Sequence, residues 1–244
     1  MEIPADLTLK TLKGSWTLVP THPATRKAML MRPGQIHLRR HGPDPQARTS
    51  AFLSSPVNPT NLSQQGVGWL TRKGIGAATL TLTFESSVSD TQITTITMRQ
   101  TLTGGIGGST EERIMDWTER ERANHIYGNV QTRSQLVKGV KSDDSAFRPD
   151  LTLQSNSDNE SIKQEIKNFL QAGNPYLEPG QDGEKEIPDL YIHDFGRNEN
   201  GGWTAEQVWG IEVIDSQRYL TRRIAAVKED GYELARLAYK FSSL

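Results

Sequence analysis

The chain has 244 residues, with 28 Lys and Arg against 29 Asp and Glu, a formal net charge of -1 and a mean hydropathy of -0.59. That balance supplies no basic surface for nucleic acid or an anionic membrane. The absence of cysteine excludes disulfides, a thiol nucleophile and thiolate metal sites.

Leu7 to Val19, LTLKTLKGSWTLV, reads as the first strand region. The opening MEIPADLTLK has neither a basic flank nor an apolar run, so no signal peptide is expected and the location is expected to be cytoplasmic. No window approaches the ~18 consecutive apolar residues of a membrane span. Residues 20–62 hold seven of the twelve prolines and six basic side chains against the single acid Asp44. This is a long insertion, either a mobile loop or a lid over a barrel mouth. His37 and His41 have metal-ligand spacing only on a helix, which Gly42-Pro43 opposes, so no metal is expected.

Gly66 to Glu85 reads as strand, glycine kink and strand, with Gly74 and Gly76 at the bend. Ile93–Leu102 is the next strand. The loop Thr103-Gly-Gly-Ile-Gly-Gly108 leads into Ser109–Thr118, so it reads as a hairpin turn rather than a phosphate cradle, which needs a following helix. His125–Val137 follows as a strand. The second insertion, 138–188, is acidic and contains one helix: Ser157 and Glu160 have capping-box spacing, Ile162, Ile166, Phe169 and Leu170 form one apolar stripe, and Gly173 and Pro175 end it. The stripe is expected to dock on the barrel wall.

Asn200 to Val227 is the central feature, two alternating strands joined at Asp215-Ser216-Gln217. Trp203, Ala205, Gln207, Trp209, Ile211 and Val213 share one face of the first strand. On the second, Tyr219, Thr221, Arg223, Ala225 and Val227 share one face and Leu220, Arg222, Ile224 and Ala226 the other. Polar groups on both faces imply a barrel enclosing something wetter than a plain core. Asp189–Phe195 and Tyr232–Phe241 complete about nine strands, and residues 1–244 read as one all-β domain of antiparallel strands with two long insertions and one helix.

No Gly-x-Ser-x-Gly, His-Glu-x-x-His or P-loop is present. Glu112 and Asp116 have the parity of a carboxylate pair for acid–base chemistry, and the competing reading pairs these acids with Arg113, Arg120 or Arg122 on the outer wall. Aromatic residues with a few donors describe a site for an apolar ligand carrying an oxygen function. The residues in view are Arg223, Gln207 and Tyr127 for the chemistry, with Trp69, Trp117, Trp209, Tyr219, Gln100 and Arg133 for binding. Parity does not settle which face is inside, because a bulge or kink reverses it.

Gly14-Ser15-Trp16 on the first strand resembles the opening mark of lipocalin-type barrels, in which Trp plugs the closed end and a late-strand Arg, here Arg236, packs across it. Together LKGSWTL, GVGWLTRKGIGAATLTL, TGGIGGSTEERIMDWTERERANHIYGNV, GGWTAEQVWGIEVID and YLTRRIAAV resemble fungal lipocalin-like (calycin-type) proteins of secondary metabolism. Some members of that family are hetero-Diels–Alderases of tropolone–sesquiterpene biosynthesis. The resemblance covers about half the chain, all in strand regions. It implies a calycin-like barrel joining a tropolone-derived ortho-quinone methide to a humulene-type alkene without a cofactor. The partners implied are apolar small molecules. A non-catalytic carrier of such a metabolite, or another cyclase or isomerase, fits the same cavity.

Overall fold

The computed structural model describes residues 3–4, 7–19, 79–103, 108–124, 128–142, 146–155, 157–172, 174–175, 190–228 and 231–244. The expectations for residues 20–62, for the kink at Gly74 and Gly76, and for Trp69 and Tyr127 lie outside the described residues. The protein is an all-β barrel. Its strands are β1 (Gly14–Leu18), β2 (Leu80–Val88), β3 (Thr94–Leu102), β4 (Gly108–Ile114), β5 (Arg120–Asn124), β6 (Gly128–Lys141), β7 (Ala146–Pro149), β8 (Asn174–Pro175), β9 (Leu190–Asn198), β10 (Trp203–Ile214), β11 (Gln217–Lys228) and β12 (Gly231–Ser243). One helix, α1, spans Glu160–Leu170. No helix among the described residues is long and apolar enough to cross a membrane.

The strands lie in the order β4-β3-β2-β1-β12-β11-β10-β9-β6-β7-β8, with β5 also paired to β6. Every pairing is antiparallel. β4 borders β3 at one edge while β5, next in the same run of chain, borders β6 at the other. The sheet therefore curls until one segment, residues 108–124, lines both of its edges. β3 and β4 pair directly across the glycine-rich stretch, with Thr101 opposite Gly108, as a hairpin requires.

The concave face buries Trp16, Leu82, Phe84, Ile96, Met98, Ile192, Trp209, Ile211, Leu220, Ile224, Leu237, Tyr239 and Phe241 in one core. The first strand is shorter than its sequence suggests. Only residues 14–18 pair, and Leu7, Leu9 and Leu12 belong to a turn that packs into the same core beside Trp16. Gly14 permits this: its φ is +85°, and a Cβ there would sit 2.5 Å from the Ser243 carbonyl oxygen. Trp16 is fully buried and meets Phe241 edge-on at 5.1 Å. Arg236 does not cover it. It stands on the opposite, convex face and pairs with Glu212.

α1 docks on the convex face, where Ile166 and Leu170 pack with Val208, Ala225, Val227, Tyr232 and Leu234. Its cap is Asn159 rather than Ser157. Asn159 Oδ1 accepts from the Ser161 and Ile162 amides, and Ser157 Oγ accepts from the Asn159 amide. The second insertion also begins later than residue 138, because β6 runs on to Lys141 and pairs there with β7.

Candidate functional site

The β10–β11 hairpin decides which side chains enter the barrel. Its turn has two residues, with Ile214 opposite Gln217, and Asp215 (φ 49°) and Ser216 (φ 61°) both left-handed. That backbone matches the right-handed twist of the flanking strands. It sets Trp209 opposite Arg222, Gln207 opposite Ile224, and Val208 opposite Arg223. A three-residue turn over Asp215–Gln217 would instead put Arg223 opposite Trp209. Of the residues singled out on this hairpin, Trp209 and Gln207 therefore face inward, whereas Tyr219 and Arg223 face outward and do not join them.

Trp209 is the centre of the interior. It is 1% exposed. Its Nε1 donates to Asp194 Oδ2 at 3.0 Å. The Arg222 guanidinium lies 4.6 Å over its ring, Arg113 stands 5.8 Å away, Phe84 meets it edge-on at 5.9 Å, and Tyr239 stacks at 6.1 Å. Arg222 Nε donates to Gln207 Oε1 at 2.9 Å. Arg113 Nε donates to Asp194 Oδ2 at 3.1 Å, and its Nη2 to Glu111 Oε2 at 2.7 Å. Gln100 Nε2 donates to Glu111 Oε1 at 3.4 Å.

The electrostatics follow from this packing. Burial opposes the charge of Arg113, but Asp194 and Glu111 outweigh it and hold the guanidinium above its ordinary value. Arg122 of β5 lies within reach of the same charges. Burial and the like charge of Arg113 lower it, more than Glu111, Asp194 and the exposed Glu112 restore. Burial holds the Tyr239 phenol above its ordinary value, and the neighbouring Arg222 partly counters this. Of the seven buried side-chain polar atoms among the described residues that make no hydrogen bond of good geometry, three lie here: Arg222 Nη1, Tyr239 Oη and Asp194 Oδ1. Buried polar groups almost always have partners, so these three mark a place built to receive one. The cluster offers two donors, one acceptor and an apolar surround.

Of the residues singled out in the sequence, Gln207, Trp209 and Gln100 meet in this interior. Trp117 and Arg133 meet each other on the convex side, with the Arg133 guanidinium 4.5 Å from the Trp117 ring and 5.2 Å from Phe195. Trp117 also lies 4.8 Å from the His193 ring. Tyr219 is on that side too, packed with Ala238. Arg223 is under α1, where Nε donates to Glu212 Oε1 at 3.2 Å and Nη1 to the Phe169 carbonyl at 3.5 Å. Burial is the main cause lowering its guanidinium.

Glu112 and Asp116 do not form a carboxylate pair. β4 ends at Ile114, and Asp116 sits in the following turn, where it accepts from the Thr118 amide and pairs with Arg120 at 2.6 Å. That bond to Arg120 holds the Asp116 carboxyl far below the usual range. Sequence spacing offers Arg222 only as the opposite-face neighbour of Arg223, and Arg113 with Glu111 as an outer-wall pair; for Asp194 it gives no local signal. A two-residue reading of the turn finds Arg222 at once, whereas Arg113 and Asp194 lie 81 residues apart and meet only through the sheet. Among the described residues no group of three or more His, Asp or Glu is placed to hold a metal ion.

In comparisons with known proteins, the chain matches no family model, no curated protein and no solved structure.

Proposed function

We propose that this barrel is a cofactor-independent hetero-Diels–Alderase, joining a tropolone-derived ortho-quinone methide to a humulene-type alkene in fungal meroterpenoid biosynthesis. The observation that carries the reading is the buried Arg222 guanidinium beside Trp209, whose Nη1 makes no hydrogen bond of good geometry. A cycloaddition of this kind needs no nucleophile and loses no atom. The heterodiene O=C–C=C and the alkene C=C exchange two π bonds for one C–O and one C–C bond. The protein's task is to hold two apolar partners face to face, which removes much of the entropic barrier. A donor at the carbonyl oxygen stabilises the negative charge that grows there. Arg222 is that donor, and Gln207 holds the guanidinium through Nε. Phe84, Ile96, Met98 and Ile192 supply the water-excluding wall that protects a quinone methide from hydration.

The deciding experiment incubates purified protein with a quinone methide precursor and humulene and follows the cycloadduct and its stereochemistry. Catalysis predicts faster formation of one stereoisomer. Binding of both molecules with no gain in rate or selectivity replaces this reading with that of a metabolite carrier.

A further inference from the structure

Among the described residues the carboxylates around Trp209 are not shared evenly. Asp194 and Glu111 stand near Arg113, Arg122 and Arg222, and Arg122 also answers to Glu112. Arg113 takes both carboxylates: Asp194 on Nε and Glu111 on Nη2. Asp194 Oδ2 is shared further with Trp209. Arg222 receives neither. Its side-chain partners are all neutral, the Gln207 amide at Nε, the Trp209 ring and the neighbouring Tyr239 hydroxyl, and it is 4% exposed. Glu233 has the same interior parity, opposite Ala226, but it stands four ladder steps from the residue opposite Arg222, and no arginine acts on its carboxyl.

An uncompensated buried charge is costly and is ordinarily met by a counter-charge. The counter-charge that fits must present an oxygen to Arg222 Nη1 and Tyr239 Oη, neighbours that make no hydrogen bond of good geometry. The remainder of the group must be apolar, because Phe84, Ile96, Met98 and Ile224 share that core.

We infer that the barrel holds its ligand as an organic anion, a carboxylate or enolate on an apolar frame, with the anionic oxygen on Arg222 and Tyr239. This rests on the proposed function for the location of the ligand and sharpens its chemistry.

The test compares two probes of one shape, 2-naphthoate and 2-naphthamide, by calorimetric titration of the wild-type protein near neutral pH. The expected result is naphthoate binding about tenfold tighter or more, a difference Arg222→Met abolishes and Arg223→Met, on the outer wall, keeps. Equal affinity for the two probes overturns the inference, as does binding of neither, which leaves an interior satisfied by water alone. The wild-type comparison stands without any variant if Arg222→Met fails to fold. The two readings fail separately. Cycloadduct formation by a protein with no anion preference sinks this inference and spares the proposed function. Anion preference in a protein that makes no cycloadduct does the reverse.

Discussion

Arg222 and Arg223 are consecutive residues of β11 that meet opposite sides of the barrel wall. Arg222 lies 4.6 Å over the Trp209 ring inside; Arg223 is bonded to Glu212 at 3.2 Å outside, beneath α1. Their roles separate accordingly. Arg222→Met is expected to lower the cycloaddition rate about 100- to 1,000-fold, the usual worth of a donor to a developing oxyanion. Arg223→Met is expected to leave turnover unchanged and to cost about 1–3 kcal/mol of stability, because Glu212 keeps Thr221 and Arg236 as partners. Single-turnover kinetics beside denaturant titration of both variants checks the division. Equal rate losses would remove the distinction between the two faces.

Glu206 anchors the segment that precedes the helix. Its fully buried carboxylate accepts from the Gln154 amide at 2.9 Å, the Ser155 amide at 2.8 Å, the Ser155 hydroxyl at 2.9 Å and His193 Nε2 at 2.8 Å. Gln135 Nε2 donates to His193 Nδ1, which leaves Nε2 as the protonated nitrogen. Glu206→Gln turns one acceptor atom into a donor among donors. It should cost about 1–3 kcal/mol and speed amide exchange at Gln154 and Ser155. Unchanged exchange at those two amides would refute the anchoring role.

Asn159 caps α1 through two backbone amides. Asn159→Ala is expected to destabilise the protein by about 1 kcal/mol, within the usual range for a lost cap. Ser157→Ala, which leaves that cap in place, should cost less. The order of the two midpoints in urea decides between them.

Glu233 carries a pH dependence. Although the side chain is exposed, the surrounding barrel wall pushes its carboxyl from 4.5 up to about 7. The folded state therefore holds the proton more tightly than the unfolded chain. Its contribution is most favourable below the unfolded value and is lost as pH rises from 4.5 through about 7. Glu233→Gln should flatten that part of the stability profile. Parallel profiles for wild type and variant across this window would contradict it.

Much of the architecture is legible in the chain alone. Period-two alternation from Trp203 to Val213 marks β10, and Gly14-Ser15-Trp16 marks a strand whose Trp is fully buried. The stripe Ile162, Ile166, Phe169 and Leu170 marks a helix with one apolar side. These patterns are local: each follows from the spacing at which one element sends its side chains to opposite faces. The assignment of inside and outside is not local. It turned on a single residue in a hairpin turn, because strand side chains alternate with a period of two and a shift of one reverses every position. That step exchanged Arg223 for Arg222. Strand ends were equally out of reach: Asp116 looks like a strand residue by spacing, yet its bonds to Thr118 and Arg120 make a turn. The pairing of Arg113 with Asp194 depends on β4 and β9 being carried to the same interior by the curl of the sheet, a relationship between distant strands that no window of sequence contains. Residue type and spacing determined that there would be a barrel with arginines on its strands. Only the register and curvature of the curled sheet decided which of those arginines gained Trp209.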